Sequence, residues 1–333
     1  MNQYLFYADF LGTKDRYRET DRVRRVRELL EIIVPAYFGR GLVDDDFYAY
    51  IFSDSLFVTC PRVQPLLQPA AKLFRQFLST DPSIPTESLG IHLLRGAIAY
   101  GEGITSSVTT NSSRIIVIPL LDSSLVQATT LEKTRPGSRV FLDKDSAREI
   151  GITHGNHLLH WDLITGKGAY FGPATEFLWP SVAYDSCSEL VQSVERIWEK
   201  WMNLLGSCKW DPVEYAKGLM IQLDETLKLF IRSVPHLEDR REARDFLLKM
   251  LPESSSDGTD ATFAWGMWFQ VLKALTECST KQEIDGEVVE RLALVKGILS
   301  RQDNPTKDFW EHFLGELEKP DYATFKKSLF SPR

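Results

Sequence analysis

The sequence predicts an α+β fold, a βαββαβ sheet domain over residues 1–183 followed by an all-α domain over residues 184–333. Three observations predict it. Four short runs of aromatic and β-branched residues (4–9, the two arms of 47–58, and 92–100) read as strands, and two stretches of 3- and 4-residue apolar spacing lie between them. Their order is that of the split βαβ, or ferredoxin-like, unit, in which the first strand lies beside the middle hairpin in one sheet. From Ser188 onward the strand signals give way to helical periodicity.

Each element has its own grounds. The first strand, 4–9, runs into Phe10-Leu11-Gly12-Thr13, where a flexible backbone lets amide groups face an anion. Residues 20–38 carry Val23, Val26, Leu29, Leu30, Ile33 and Val34 on one helical face, with arginines on the solvated side. Residues 47–58 form a hairpin turning at Ser53-Asp54-Ser55. A second helix spans 66–78 with Leu67, Ala70, Leu73, Phe74 and Phe77 along one face, and Pro82 and Pro85 follow its end. The fourth strand, 92–100, closes at Gly101-Glu102-Gly103. Residues 104–118 read as an extended arm or hairpin, 123–132 as a short helix, 139–142 as a strand after Pro136-Gly137, and 158–180 as a connecting hairpin. The second domain reads as helices over 190–205, 212–232, 240–250, 263–278, 287–299 and 308–317, with a flexible loop at 254–260.

Composition narrows the function classes. A net charge of -7 argues against a general nucleic-acid binder, although a small basic pocket for a nucleotide remains compatible with it. Apolar runs such as 31–38 fall short of a membrane span, and Met1-Asn2-Gln3 leads directly into a strand, so neither membrane insertion nor export is expected. The four cysteines are scattered without a CxxC pair, which predicts reduced thiols and a cytoplasmic location.

The chemistry concentrates on two aspartates. Asp9 and Asp54 each sit at the end of an apolar, strand-like run, where an unpaired carboxylate would cost several kcal/mol. Each can cap its own turn through the backbone. Taken as a pair in matching contexts, they point to a shared divalent cation. Two oxygen-ligated cations, Mg2+ or Mn2+, at a strand end and an adjacent hairpin turn suit a triphosphate substrate, one activating the attacking oxygen and the other neutralising the phosphates.

The motifs carry a resemblance as well. Asp9-Phe10-Leu11-Gly12-Thr13, Phe52-Ser53-Asp54 and Arg95-Gly96-Ala97-Ile98-Ala99-Tyr100-Gly101 resemble, in that order, the conserved strands of a class III nucleotide cyclase domain, and Pro136-Gly137-Ser138-Arg139-Val140-Phe141 resembles its later Pro-Gly strand. The resemblance implies a palm-like cyclase fold and metal ligation by Asp9 and Asp54, with Phe10 beside them. It also implies substrate contacts from Phe10, Leu11, Gly12, Thr13 and Ser53, and a head-to-tail homodimer that completes the nucleotide site. Where adenylate cyclases place an adenine-reading lysine, this chain has Tyr50. The family's transition-state Asn and Arg fall on Val126 and Thr130. Arg95, Arg114, Lys133, Arg135 or Arg139 can supply the lost positive charge, and the sequence does not choose among them; Arg95 is carried forward as the catalytic candidate.

Within the family, the chain over residues 1–180 resembles the pyrimidine cyclases of the bacterial Pycsar antiphage system, whose cyclic UMP or cyclic CMP activates a separately encoded effector. The expected reaction is conversion of UTP to 3′,5′-cyclic UMP and pyrophosphate. Cytidylate cyclase activity, or a degenerate module that binds nucleotide or dimerises without catalysis, is the alternative. A phenol at Tyr50 can stack on or hydrogen-bond a pyrimidine, or it can be an ordinary strand aromatic. His154, His157 and His160 flank a turn without an acidic partner, Asp44-Asp45-Asp46 lacks calcium-loop spacing, Asp122 can read a base or, preferably, cap the helix at Ser123, and Trp198, Trp201, Trp265 and Trp268 read as core.

Overall fold

The computed structural model describes residues 2–10, 28, 30–39, 48–52, 55–79, 93–102, 108–109, 116–117, 123–164, 172–207, 219–236, 240–253, 261–279 and 284–299. The chain divides into two compact units, residues 1–185 with 196–229, and residues 186–195 with 230–333.

The first unit is built on a seven-stranded sheet. Its strands in chain order are β1 (Asn2–Phe10), β2 (Tyr48–Phe52), β3 (Ser55–Cys60), β4 (Leu94–Glu102), a separate two-stranded ribbon of β5 (Val108–Thr109) and β6 (Ile116–Val117), then β7 (Val140–Leu142), β8 (Leu159–Ile164) and β9 (Gly172–Phe177). The spatial order is β2-β3-β1-β4-β7-β9-β8, with only β4 and β7 parallel among the paired neighbours. The first four strands keep the order of the split βαβ core, so the α+β fold expected from the sequence is the fold observed. The ribbon β5–β6 falls within the arm expected over 104–118.

Strand alternation assigns two faces to β1. Phe6 and Phe10 turn to one face, where Phe6 packs on Phe38 of helix α1 (residues 30–39) and on Phe74 of α2 (Gln64–Ser79), and Phe10 meets Phe77 edge-on at 4.6 Å. Leu5 and Tyr7 turn to the opposite face, in a cluster with Phe57, Ala97, Ala99 and Phe141 that is covered by Ala128 and Leu131 of α3 (Ser123–Glu132). Helix α3 lies close on β4, because Gly101 leaves no side chain in the way: a Cβ there would stand 2.5 Å from Ser123 Oγ.

Two features differ from the sequence reading. Residues 158–180, expected as a connecting hairpin, contribute β8 and β9 to the main sheet, because β9 pairs with β7 through Val140–Phe177, Phe141–Glu176 and Leu142–Thr175. Residues 144–154, whose sequence carries no clear helical periodicity, form helix α4 (Lys144–His154). Asp143 caps it by accepting from the Ser146 amide, and its other oxygen accepts from the Tyr100 amide, so the cap also fastens the helix to β4.

After α5 (Pro180–Ala183), α6 (Cys187–Ser207) and α7 (Leu219–Ser233) follow. Residues 219–229 belong to the first unit and are bound to the turn that precedes β7. Gly137 and Ser138 donate their amides to Gln222 Oε1 and Thr226 Oγ1 at 2.6 and 2.8 Å. Below that turn Arg139, 1% exposed, is held by Glu176 through paired hydrogen bonds and by Glu225, while Lys228 bridges Glu225 and Asp224 at 2.9 and 2.6 Å. Burial pushes the Lys228 amine toward losing its proton, but the charges of Glu225 and Asp224 outweigh it and hold the ammonium above its ordinary value.

The second unit is helical among its described residues, with α8 (Arg240–Lys249), α9 (Ala261–Cys278) and α10 (Val289–Leu299) around a core that includes Phe246, Leu247, Met267, Trp268, Leu272, Leu292 and Val295. The loop expected at 254–260 and the helix expected at 308–317 lie outside the described residues. Among the described residues no helix is long and apolar enough to cross a membrane.

Candidate active site

The site begins with a row of residues across the sheet. In the register of β3, β1 and β4, Asp9 stands opposite Ser55 on one side and Arg95 on the other. The contacts follow that pairing. Ser55 Oγ donates to Asp9 Oδ1 at 2.8 Å, and Arg95 Nη2 lies 3.5 Å from Asp9 Oδ2. By alternation the row lies on the Tyr7 face of β1, the face that α3 covers further along. Asp9 keeps 21% of its side chain exposed, which is what an ionised carboxylate at a strand end requires.

The next row on that face is aromatic. Tyr50, Phe57 and Tyr7 are paired across β2, β3 and β1, and Ala97 continues the row on β4. Tyr50 is half-buried at the margin of this cluster, and ideal sheet spacings put its Cα about 12 Å from that of Asp9, two strand spacings across and one side-chain repeat along the register. Burial raises the Tyr50 phenol above its ordinary value, with the neighbouring Tyr48 adding to the effect. Tyr7 is raised further, first by burial and then by the charge of Asp9. Both phenols are therefore neutral donors at physiological pH.

Arg95 has a second carboxylate. Its Nε lies 2.5 Å from Glu132 Oε1 as an ion pair without hydrogen-bond alignment, and Glu132 is 1% exposed. Glu132 is the last residue of α3. The helix meets Gly101 at its first turn and Arg95 at its last, so the close approach at Gly101 is part of what brings Glu132 to the site.

The residues expected from the sequence are partly accounted for. Asp9, Arg95 and Tyr50 share one face. Phe10 follows Asp9, but its ring is 4% exposed and packed on Phe77 on the opposite face, so only its backbone is left to offer a cation or a phosphate. Leu11, Gly12, Thr13, Ser53 and Asp54 lie outside the described residues, although Ser55, which follows Asp54 in the chain, is Asp9's register partner. Of the other cations, Arg139 is enclosed by Glu176 and Glu225, Arg135 lies 3.8 Å from Glu225, Lys133 is exposed, and Arg114 lies outside the described residues. Val126 is 61% exposed, and Thr130 donates its hydroxyl to the Val126 carbonyl at 2.7 Å.

Sequence reasoning missed Ser55, Tyr7 and Glu132. Ser55 and Tyr7 were legible in principle, since the hairpin register and strand parity put them beside Asp9. No local signal marks Glu132, because its partner lies 37 positions away on β4.

An ionised carboxylate at a strand end is a hard oxygen donor of the kind Mg2+ and Mn2+ prefer, and Asp9 fits that requirement. Arg95 shares the carboxylate's surroundings, so a cation there would sit beside a fixed positive charge.

No family profile and no curated protein matches the chain. Among solved structures, it is similar to the guanylate cyclase domain of RhGC from Catenaria anguillulae in complex with GTP, at 11% identity over 53% of this chain and 94% of that one, with a TM-score of 0.37. It is also similar to an adenylate cyclase from Trypanosoma brucei in its monomeric state, at 13% identity over 53% and 88% with a TM-score of 0.39. A third is the adenylyl cyclase CyaB from P. aeruginosa, at 12% identity over 53% and 94% with a TM-score of 0.35. Likeness at this level carries neither substrate nor mechanism from those proteins to this chain.

Proposed function

We propose that the first unit is a nucleotide cyclase of the class III type that converts UTP to 3′,5′-cyclic UMP and pyrophosphate. The observation that carries the reading is the pairing of Ser55, Asp9 and Arg95 in one row, with Tyr50 on the same face one row away. That face offers an anion, a cation and an aromatic donor at separations that suit the phosphates and the base of one nucleotide. The functional residues all lie within 1–183, the cyclase domain of this reading, and of the helical stretch 184–333 that follows it residues 196–229 belong to the same compact unit.

Two divalent cations, when bound, would neutralise the triphosphate and raise the nucleophilicity of the ribose 3′-hydroxyl. Asp9 and Asp54 would hold them, with Phe10 contributing backbone, while Ser55 keeps the Asp9 carboxylate oriented through its 2.8 Å hydrogen bond. The 3′-oxygen attacks the α-phosphorus in line and gives up its proton to solvent water, the bond from that phosphorus to the bridging oxygen breaks, and pyrophosphate leaves with the bonding electron pair. Arg95 supplies positive charge beside the reacting phosphate, in place of the residue replaced by Thr130. The backbone of 10–13 and Ser53 cradle the phosphates, and the Tyr50 hydroxyl and ring read the pyrimidine. A second copy of the chain, head to tail, completes the site, and the cyclic product acts on a separate effector in antiphage defence.

A second reading is favoured by one observation. The positions where the family carries its Asn and Arg hold an exposed valine and a threonine bonded to its own helix. On that ground the unit binds nucleotide or dimerises without turnover. Purified protein incubated separately with ATP, GTP, CTP and UTP in the presence of Mn2+, with products identified by mass spectrometry, separates the readings. Cyclic UMP above the other products is expected, cyclic CMP alone reassigns the base, and no cyclic product with UTP retained on the protein establishes the binding module.

A further inference from the structure

Arg95 stands between two carboxylates that differ in burial. Glu132 is 1% exposed and 2.5 Å from Arg95 Nε, whereas Asp9 is 21% exposed and 3.5 Å from Nη2. A buried carboxylate depends far more on its counter-charge than a hydrated one, so the guanidinium is committed to Glu132 first. The backbone pulls the other way. Arg95 and Asp9 are register partners on adjacent strands, so without a competing anchor the guanidinium would close onto Asp9 and take the place of a cation there.

We propose that Glu132 is a positioning residue that, by anchoring Arg95 Nε, keeps the Arg95–Asp9 contact to a long hydrogen bond from Nη2 at 3.5 Å, so that a divalent cation can compete for the Asp9 carboxylate while the Arg95 charge stays beside the substrate. The proposal rests on the reading of Asp9 as a cation ligand. It assigns α3 a role at the site through its last residue.

The test is Mn2+ binding to the full chain without nucleotide, followed by the electron paramagnetic resonance signal of free Mn2+, in wild type, D9N, E132Q, E132D and R95M/E132Q. Melting curves check that each variant is folded. D9N is expected to weaken binding, which establishes the ligand. E132Q is expected to weaken it on the order of tenfold, the effect of a full positive charge released onto the ligand oxygen. E132D, which keeps the charge, should bind more tightly than E132Q. R95M/E132Q, which removes both the anchor and the charge it restrains, should return to the wild-type value or tighter. Should E132Q lose its fold, the uncharged double variant still decides, since binding weaker than wild type there overturns the proposal. Weaker binding in D9N with unchanged binding in E132Q overturns the role of Glu132 while leaving Asp9 as the ligand. Unchanged binding in D9N removes the cation reading itself.

Discussion

Individual side chains at the site differ in what their loss should do. Asp9→Asn keeps the hydrogen bond from Ser55 but removes the charge, and Asp54→Ala removes the second carboxylate. Each is expected to lower cyclic product at least a hundredfold, with an unchanged melting temperature. Retained activity in either variant removes that residue from the proposed cation site. Tyr50→Ala should alter the ratio of cyclic UMP to cyclic CMP formed in competition, because the half-buried phenol sits at the rim of the aromatic row rather than inside it. Alkaline pH gives a separate test of the residue environments. Burial, aided by Glu149, raises Tyr4 to about 12, and burial with the charge of Asp9 raises Tyr7 further. The folded state therefore keeps these phenolic protons after the unfolded state has begun to lose them. Stability is fully present below pH about 10 and falls as pH rises through the native values. A urea midpoint that declines from pH about 10 upward, with a shallower decline in Tyr7→Phe, is the expected result.

At the scale of elements, the turn before β7 and helix α7 depend on each other. Gly137 has φ of 99°, and a Cβ there would stand 2.9 Å from the Glu225 side chain and 3.0 Å from the Thr226 amide nitrogen. Gly137→Ala should therefore cost about 1–3 kcal/mol in chemical denaturation, from strain and from displacement of α7 together. Arg139→Met leaves Glu176 and Glu225 without their buried counter-charge and should lower the melting temperature by roughly 10 °C. The sequence showed the elements whose periodicity is local. The spacing of Leu67, Ala70, Leu73, Phe74 and Phe77 marks α2, and Ser123–Glu132 is the helix expected. It did not show α4, because only Ala147 and Ile150 among its apolar residues are buried, while Ile152 is 74% exposed, so the apolar stripe is thin. The place of β8 and β9 in the sheet was hidden for another reason. A hairpin's two strands are visible in its own residues, but the neighbour it joins is fixed by the distant pairing of β9 with β7. Asp9 was legible because a carboxylate interrupts an apolar strand, whereas Glu132 was not, since a charged residue at a helix end is unremarkable until its burial is known.

For the molecule as a whole, the residues that do the proposed chemistry and the residues that hold their sheet together end at different places in the chain. A fragment of residues 1–183 contains Asp9, Asp54, Tyr50, Arg95 and Glu132 but lacks Gln222, Glu225 and Thr226, which bind Gly137, Ser138 and Arg139. It should be digested by protease faster than a fragment of residues 1–236, and equal lifetimes would show that α7 is dispensable to the sheet. The cross-strand row has a further consequence for how such a chain can change over time. Because Asp9 and Phe10 point to opposite faces, deleting one residue within β1 before Asp9 exchanges the acidic face for the phenylalanine face, while deleting two keeps the faces but moves the carboxylate one row along the strand, from Ser55 and Arg95 to Phe57 and Ala97. Length variation among natural variants of β1, β3 and β4 should accordingly occur in pairs of residues or move into the turns, and a single-residue change inside these strands should accompany loss of the site.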